Sequence, residues 1–139
     1  MGRAQIYKQV CSILEANSLT WTETAEGGIF LRFSSAGVSI DLRPWGEQTL
    51  IHFSSPVLSE VAAETEVVLR EVNQLNKASH FARWVYYDDS QEIALEYDLL
   101  GDHLQENELM TALSSIARLA DFQDDRLQQK LNGRRAFDE

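Results

Sequence analysis

"FARWVYYDDSQEIALEY", residues 81–97, decides the fold of this chain. Two apolar runs of period two flank "DDSQ", whose residue types favour tight turns, so the stretch reads as a β-hairpin of strands over 80–87 and 91–99. Placing Asp88 opposite Gln91 fixes the register. Ala82, Trp84 and Tyr86 then share a face with Ile93, Leu95 and Tyr97, and Arg83 stands across from Glu96 on the other face. Apolarity and charge support this pairing independently, and a slip of one residue would send every side chain to the wrong face. The core-facing side is aromatic.

Working outward, residues 59–77 place Val61, Thr65, Val68, Val72 and Leu75 on one helical stripe, with Asn76 as the terminator because asparagine tolerates the left-handed conformation. Leu58, Ala62 and Leu69 lie off that stripe and widen the apolar surface enough to meet both a sheet and another subunit. Before this helix, "TWTETAE", "GGIFLRFS", "GVSIDLRPW" and "QTLIHFS" are four short runs bounded by Gly, Ser or Pro, read as successive strands of an antiparallel meander. Ile6, Val10, Ile13 and Leu14 mark an opening helix over residues 4–16. The last element, about 105–131, carries Leu109, Leu113, Ile116, Ala120, Leu127 and Leu131, with Asn132-Gly133 as a stop and "DFQDD" at 121–125 as a place where it loosens or bends. The order α-β-β-β-β-α-β-β-α describes an α+β fold: an antiparallel sheet covered on one side by helices, in a single domain over 1–139.

With 139 residues and 44% hydrophobic content, the chain suffices for one packed core, and no apolar run approaches the roughly 20 residues that span a bilayer. The start lacks a secretory pattern, and Ile6 stands where myristoylation favours Ser or Thr, so a cytoplasmic location is expected. Twenty-two acidic against twelve basic residues give a charge of −10, which argues against nucleic acid and anionic membranes as partners. Cys11 is the sole cysteine, which excludes an intrachain disulfide and a thiolate zinc site; its spacing from Tyr7 and Leu14 suits a small buried residue.

No catalytic motif is present. His52, His80 and His103 fall in three segments without metal-ligand spacing, and Asp88-Asp89 and Asp124-Asp125 do not extend into a calcium loop; a turn and a solvated helix explain the two pairs. "EGG" at 26–28 fits a hairpin turn better than a phosphate cradle. No cofactor and no enzymatic activity are expected. The feature that stands out is the outer face of the hairpin, where Phe81, Val85 and Tyr87 lie with Arg83 and, on the partner strand, Glu92, Glu96 and Asp98. Large apolar side chains ringed by charge resemble a protein contact, although single exposed aromatics are also ordinary. Phe81, Arg83, Val85 and Tyr87 are therefore the candidate partner surface.

The stretch "LNKASHFARWVYYDDSQEIALEYDLLGDHLQENELMTALSSIARLADFQDDRLQQKL" resembles the carboxy-terminal part of YbjN-type domains, in the superfamily of type III secretion chaperones. It shares with them a helix ending in "LN", an aromatic strand pair, "L…DL", a short loop and a long helix with "A…AD…D..L". The likeness covers residues 73–131, and the first 60 residues follow only in element order. Two positions depart from the pattern: Leu104-Gln105 replaces the Thr cap before the last helix, and Ala82 replaces a glycine. The resemblance implies a secretion-chaperone-like sandwich, commonly a homodimer, that binds an extended segment of another protein or peptide. The alternative from another class is a small-molecule-binding domain or an enzyme with an unrecognised site between sheet and helices.

Overall fold

The structure is a computed structural model and describes residues 2–138. In chain order the elements are α1 (Arg3–Ala16), β1 (Thr22–Glu23), β2 (Ile29–Phe33), β3 (Ala36–Trp45), β4 (Gln48–Ser59), α2 (Thr65–Ala78), β5 (Arg83–Tyr87), β6 (Glu92–Leu100), α3 (Glu106–Leu131) and β7 (Arg134–Arg135). The hairpin of β5 and β6 forms in the register that its side chains dictate, Arg83 against Glu96, Trp84 against Leu95 and Tyr86 against Ile93. The sheet is antiparallel in the order β1-β2-β3-β4-β6-β5, so the hairpin extends the meander through β6.

Alternation along the strands gives the sheet one apolar face, on which Leu31, Ile40, Ile51, Phe53, Ile93 and Leu95 are almost wholly buried. The helices cover that face. Ile6, Val10 and Leu14 of α1, Val68 of α2, and Leu109, Leu113 and Ile116 of α3 join the strand residues in one core. Phe53 meets Tyr97 edge to face, with centroids 6.1 Å apart.

Several boundaries differ from the sequence reading. β4 runs on to Ser59, so α2 begins at Thr65 and Val61 lies in the connection, its N–H donating to the Gln91 carbonyl at 3.1 Å. The expected strand over 20–26 shrinks to Thr22–Glu23, and that over 80–87 starts only at Arg83. Cys11 is half-buried, not buried. α3 passes through 121–125 as one unbroken helix. Its aspartates have partners there: Ser35 Oγ donates to Asp121 and, at 2.6 Å, to Asp124, while Arg135 pairs with Asp125. The missing Thr cap is replaced by Glu108, whose carboxylate accepts the Gln105 N–H at 2.9 Å.

The seventh strand has no counterpart in the sequence expectation. Asn132 takes the left-handed cap at φ 57°, turning the chain so that Arg134 and Arg135 pair with Ser59 and Leu58 of β4. Gly133 is required at this crossing, because a Cβ there would lie 2.5 Å from Leu58 Cγ. The tail then carries Phe137 beneath the Arg32 guanidinium, 3.7 Å from the ring centroid.

Candidate functional site

The candidate surface on the hairpin divides in two. Arg83, Val85 and Tyr87 do share the outer face, where Arg83 and Tyr87 form part of a charged network crossing three strands. Arg83 donates to Asp98 at 2.7 Å and to Glu96 at 3.1 Å, His52 Nδ1 lies 2.6 Å from Asp98, and the Tyr87 hydroxyl donates to Glu96. The hydrogen bond to Glu96, with burial second, pushes the Tyr87 pKa up to about 12. Burial works against the charge on Asp98, but hydrogen bonds from His52 and Arg83 hold its carboxyl below the usual range. Glu96 and His52 are themselves buried. These charges are directed at one another.

Phe81 stands apart from the other three. It precedes the strand, takes a left-handed φ of 68°, and stacks its ring on Tyr97 at 6.2 Å while remaining 84% exposed. Asn76 is not the end of α2. The helix continues to Ala78, which leaves the Asn76 side chain free to clasp β5: its amide donates to the Trp84 carbonyl at 3.0 Å and accepts the Trp84 N–H at 2.7 Å. A single side chain thus occupies both outward peptide groups of Trp84 and blunts this sheet edge.

The other edge is not blunted in this way. Thr24 N–H donates to the Gly28 carbonyl and Thr22 pairs with Phe30, so alternation turns the peptide groups of Arg32 outward as well. β1 ends before reaching them. Among the described residues neither backbone group of Arg32 has a partner on that side. Beside this gap a cleft of about 380 Å³ opens between the end of β2 and α3, lined by Leu19, Phe33, Met110, Leu113, Ala117 and Arg118. Asp121 also borders it, but its carboxylate is engaged by the Ser35 N–H and hydroxyl.

A second cleft, about 490 Å³, lies between α2, β5 and α3, with Leu75, His80, Trp84, Leu119 and Phe122 among its walls. The two clefts meet at Ser114 and Arg118, which line both. Neither gathers an acid and a base in proximity, and among the described residues no three His, Cys, Asp or Glu side chains converge as metal ligands. What the geometry offers is apolar burial beside an unpaired strand edge, an arrangement suited to an extended polypeptide.

Over residues 4–139 the sequence matches the family described as type III secretion (YopN, CesT) and YbjN peptide-binding chaperone 1. The chain belongs to this family. As a peptide-binding chaperone domain it also has a solved structural relative, the crystal structure of the ExsC-ExsE complex, with a TM-score of 0.65 over 88% of this chain and 92% of that one. At 17% identity that likeness establishes the shared α+β fold. Among curated proteins none matches the sequence.

The open edge at Arg32 and the cleft residues Leu19 and Arg118 are not singled out by the sequence. Leu19 looks like a linker residue and Arg118 like an ordinary solvent-facing helix position.

Proposed function

We propose that this domain holds an extended segment of another protein as an added strand on β2, with alternate side chains entering the cleft between β2 and α3, and that it does so without catalysis. The observation that carries this reading is the open backbone of Arg32 at the mouth of an apolar cleft. Strand addition supplies main-chain hydrogen bonds, and the cleft selects every second side chain. The test uses a peptide selected from a random display library on the full chain. Its binding slows hydrogen exchange at the Arg32 amide, and Leu19→Ser weakens it roughly tenfold, the scale of losing one buried apolar contact.

A second reading keeps the partner at Phe81, Arg83, Val85 and Tyr87. Phe81 favours it, since its exposed ring borders a smaller cleft of about 330 Å³ with Tyr97, Asn107 and Thr111. Protection confined to β5 and β6, with the Arg32 amide unchanged, would select this surface and reject the first.

The same proposal includes a homodimer in the cytoplasm. Leu69, 51% exposed on α2, supports self-association, and the absence among the described residues of any helix long and apolar enough to cross a membrane is compatible with the location. Light scattering then gives twice the chain mass, and Leu69→Glu returns it to that of a monomer; a monomer at every concentration contradicts the dimer. The charge of −10 supports protein over nucleic acid as the partner.

A further inference from the structure

We infer that Arg118 selects an acidic side chain in the bound segment, and that this segment continues from the first cleft over α3 into the second. This deepens the strand-addition reading and rests on it. Ser114 and Arg118 line both clefts, so the boundary between them is a low ridge with one cation on it. Among the described residues Arg118 is the one arginine without an ion pair, hydrogen bond or ring contact, although Lys8 and Lys77 also lack a carboxylate partner, in a chain with 22 acidic and 12 basic residues. Several other cations are engaged: Arg126 and Lys130 by Glu71, Arg83 by Glu96 and Asp98, and Arg135 by Asp125 and Asp138. Even Asp121, which borders the same cleft, is bound by Ser35 instead of Arg118.

An exposed guanidinium between an apolar cleft and a mixed one, left without an internal carboxylate, is placed to receive one from outside. Its forked donors match a carboxylate in two-point contact. The apolar anchors stand on either side, Leu113 and Ala117 in the first cleft and Trp84 and Leu119 in the second, with Phe122 78% exposed at the rim. The ligand is therefore an extended segment with an apolar residue, then an acidic one, then a second apolar group. Because the whole chain carries a charge of −10, a strongly acidic segment is repelled, and the fitting ligand has one such carboxylate in a neutral or basic context.

The experiment selects peptides with amidated C-termini on the full chain, so that only side chains supply a carboxylate. Affinities are then compared for the selected peptide and for versions with its acidic residue changed to glutamine or lysine, against wild type and Arg118→Glu. Arg118 is exposed, and thermal unfolding confirms that the variant is folded. The selected peptides carry Asp or Glu between two apolar groups, glutamine weakens binding about threefold, the scale of an exposed ion pair, and Arg118→Glu inverts the preference toward the lysine version. Peptides that bind and protect the Arg32 amide, yet show no acidic enrichment and an unchanged preference in Arg118→Glu, overturn the role of Arg118 and leave strand addition standing. Failure to protect Arg32 removes the strand-addition reading, and the role of Arg118 with it.

Discussion

Removing both cations around Glu71, in the double variant Arg126→Ala/Lys130→Ala, lowers the unfolding free energy by about 3 kcal/mol at neutral pH. Glu71 lies on α2 and is 6% exposed, yet its carboxylate receives Arg126 Nη2 at 2.6 Å and Lys130 Nζ at 2.7 Å, both from α3. The two cations are half exposed, so solvent screens much of the pairwise attraction. The cost comes mainly from leaving a charge buried between two helices with nothing to compensate it. Glu71→Leu, which removes the charge and retains volume, therefore costs less, within about 1 kcal/mol of wild type.

Acid separates these cases. Burial alone would raise the Glu71 pKa, but hydrogen bonds from Lys130 and Arg126 hold it below the usual carboxylate range. A carboxyl lowered in the folded state stabilises the fold above its unfolded pKa, about 4.3, and loses that contribution as pH falls through the folded value. In the double variant only burial remains, the shift reverses, and protonation relieves the fold. Urea unfolding at pH 7 and near pH 4 should show the gap between wild type and variant narrowing on acidification. A gap that widens, or equal costs for Glu71→Leu and the double variant at pH 7, would show that the two helices are held by packing alone.

None of this pair was legible in the sequence. Glu71 sits one position before Val72 in the core stripe, where it looks like a solvated helix residue, and its partners lie more than fifty positions away on α3. Sequence patterns reveal which face of an element is apolar, because that depends on period, and they revealed it well for the hairpin and for α1 and α3. They do not reveal which polar residues a distant helix will cover. The same limit explains Asn76, expected to end α2 through its backbone but instead engaged through its side chain. It also explains β7, since pairing two arginines with β4 depends on where α3 happens to end.

The candidate site was harder for a related reason. Strict alternation groups Phe81, Arg83, Val85 and Tyr87, but it holds only while the backbone stays extended. Alternation correctly put Arg83, Val85 and Tyr87 on one face, and it failed at Phe81, where a left-handed φ of 68° precedes the strand. Charge that looked like a ring around a docking surface proved to be directed inward among Arg83, Glu96, Asp98 and His52. The open edge at Arg32 could not be foreseen either, because it is created by how soon β1 stops, and strand ends are set by tertiary contacts more than by local preference.

Trp84→Ala should cost about 3 to 5 kcal/mol, whereas Val85→Ala, one residue along the same strand, should cost about 1 kcal/mol or less. The contrast follows from register. Trp84 is 3% exposed and faces the helices opposite Leu95, while Val85 is half-buried on the outer face opposite Ala94. Losing the indole empties a volume that the Asn76 clasp keeps from collapsing, since Trp84's own peptide group remains tied to α2 at both N–H and C=O. A cavity that cannot relax incurs the transfer loss and the cavity term together. Chemical denaturation of the two variants measures the difference directly. Similar costs at both positions would mean that the hairpin does not hold this register. The aromatic face would then not form the wall of the second cleft, and the route over Arg118 would lose its far anchor.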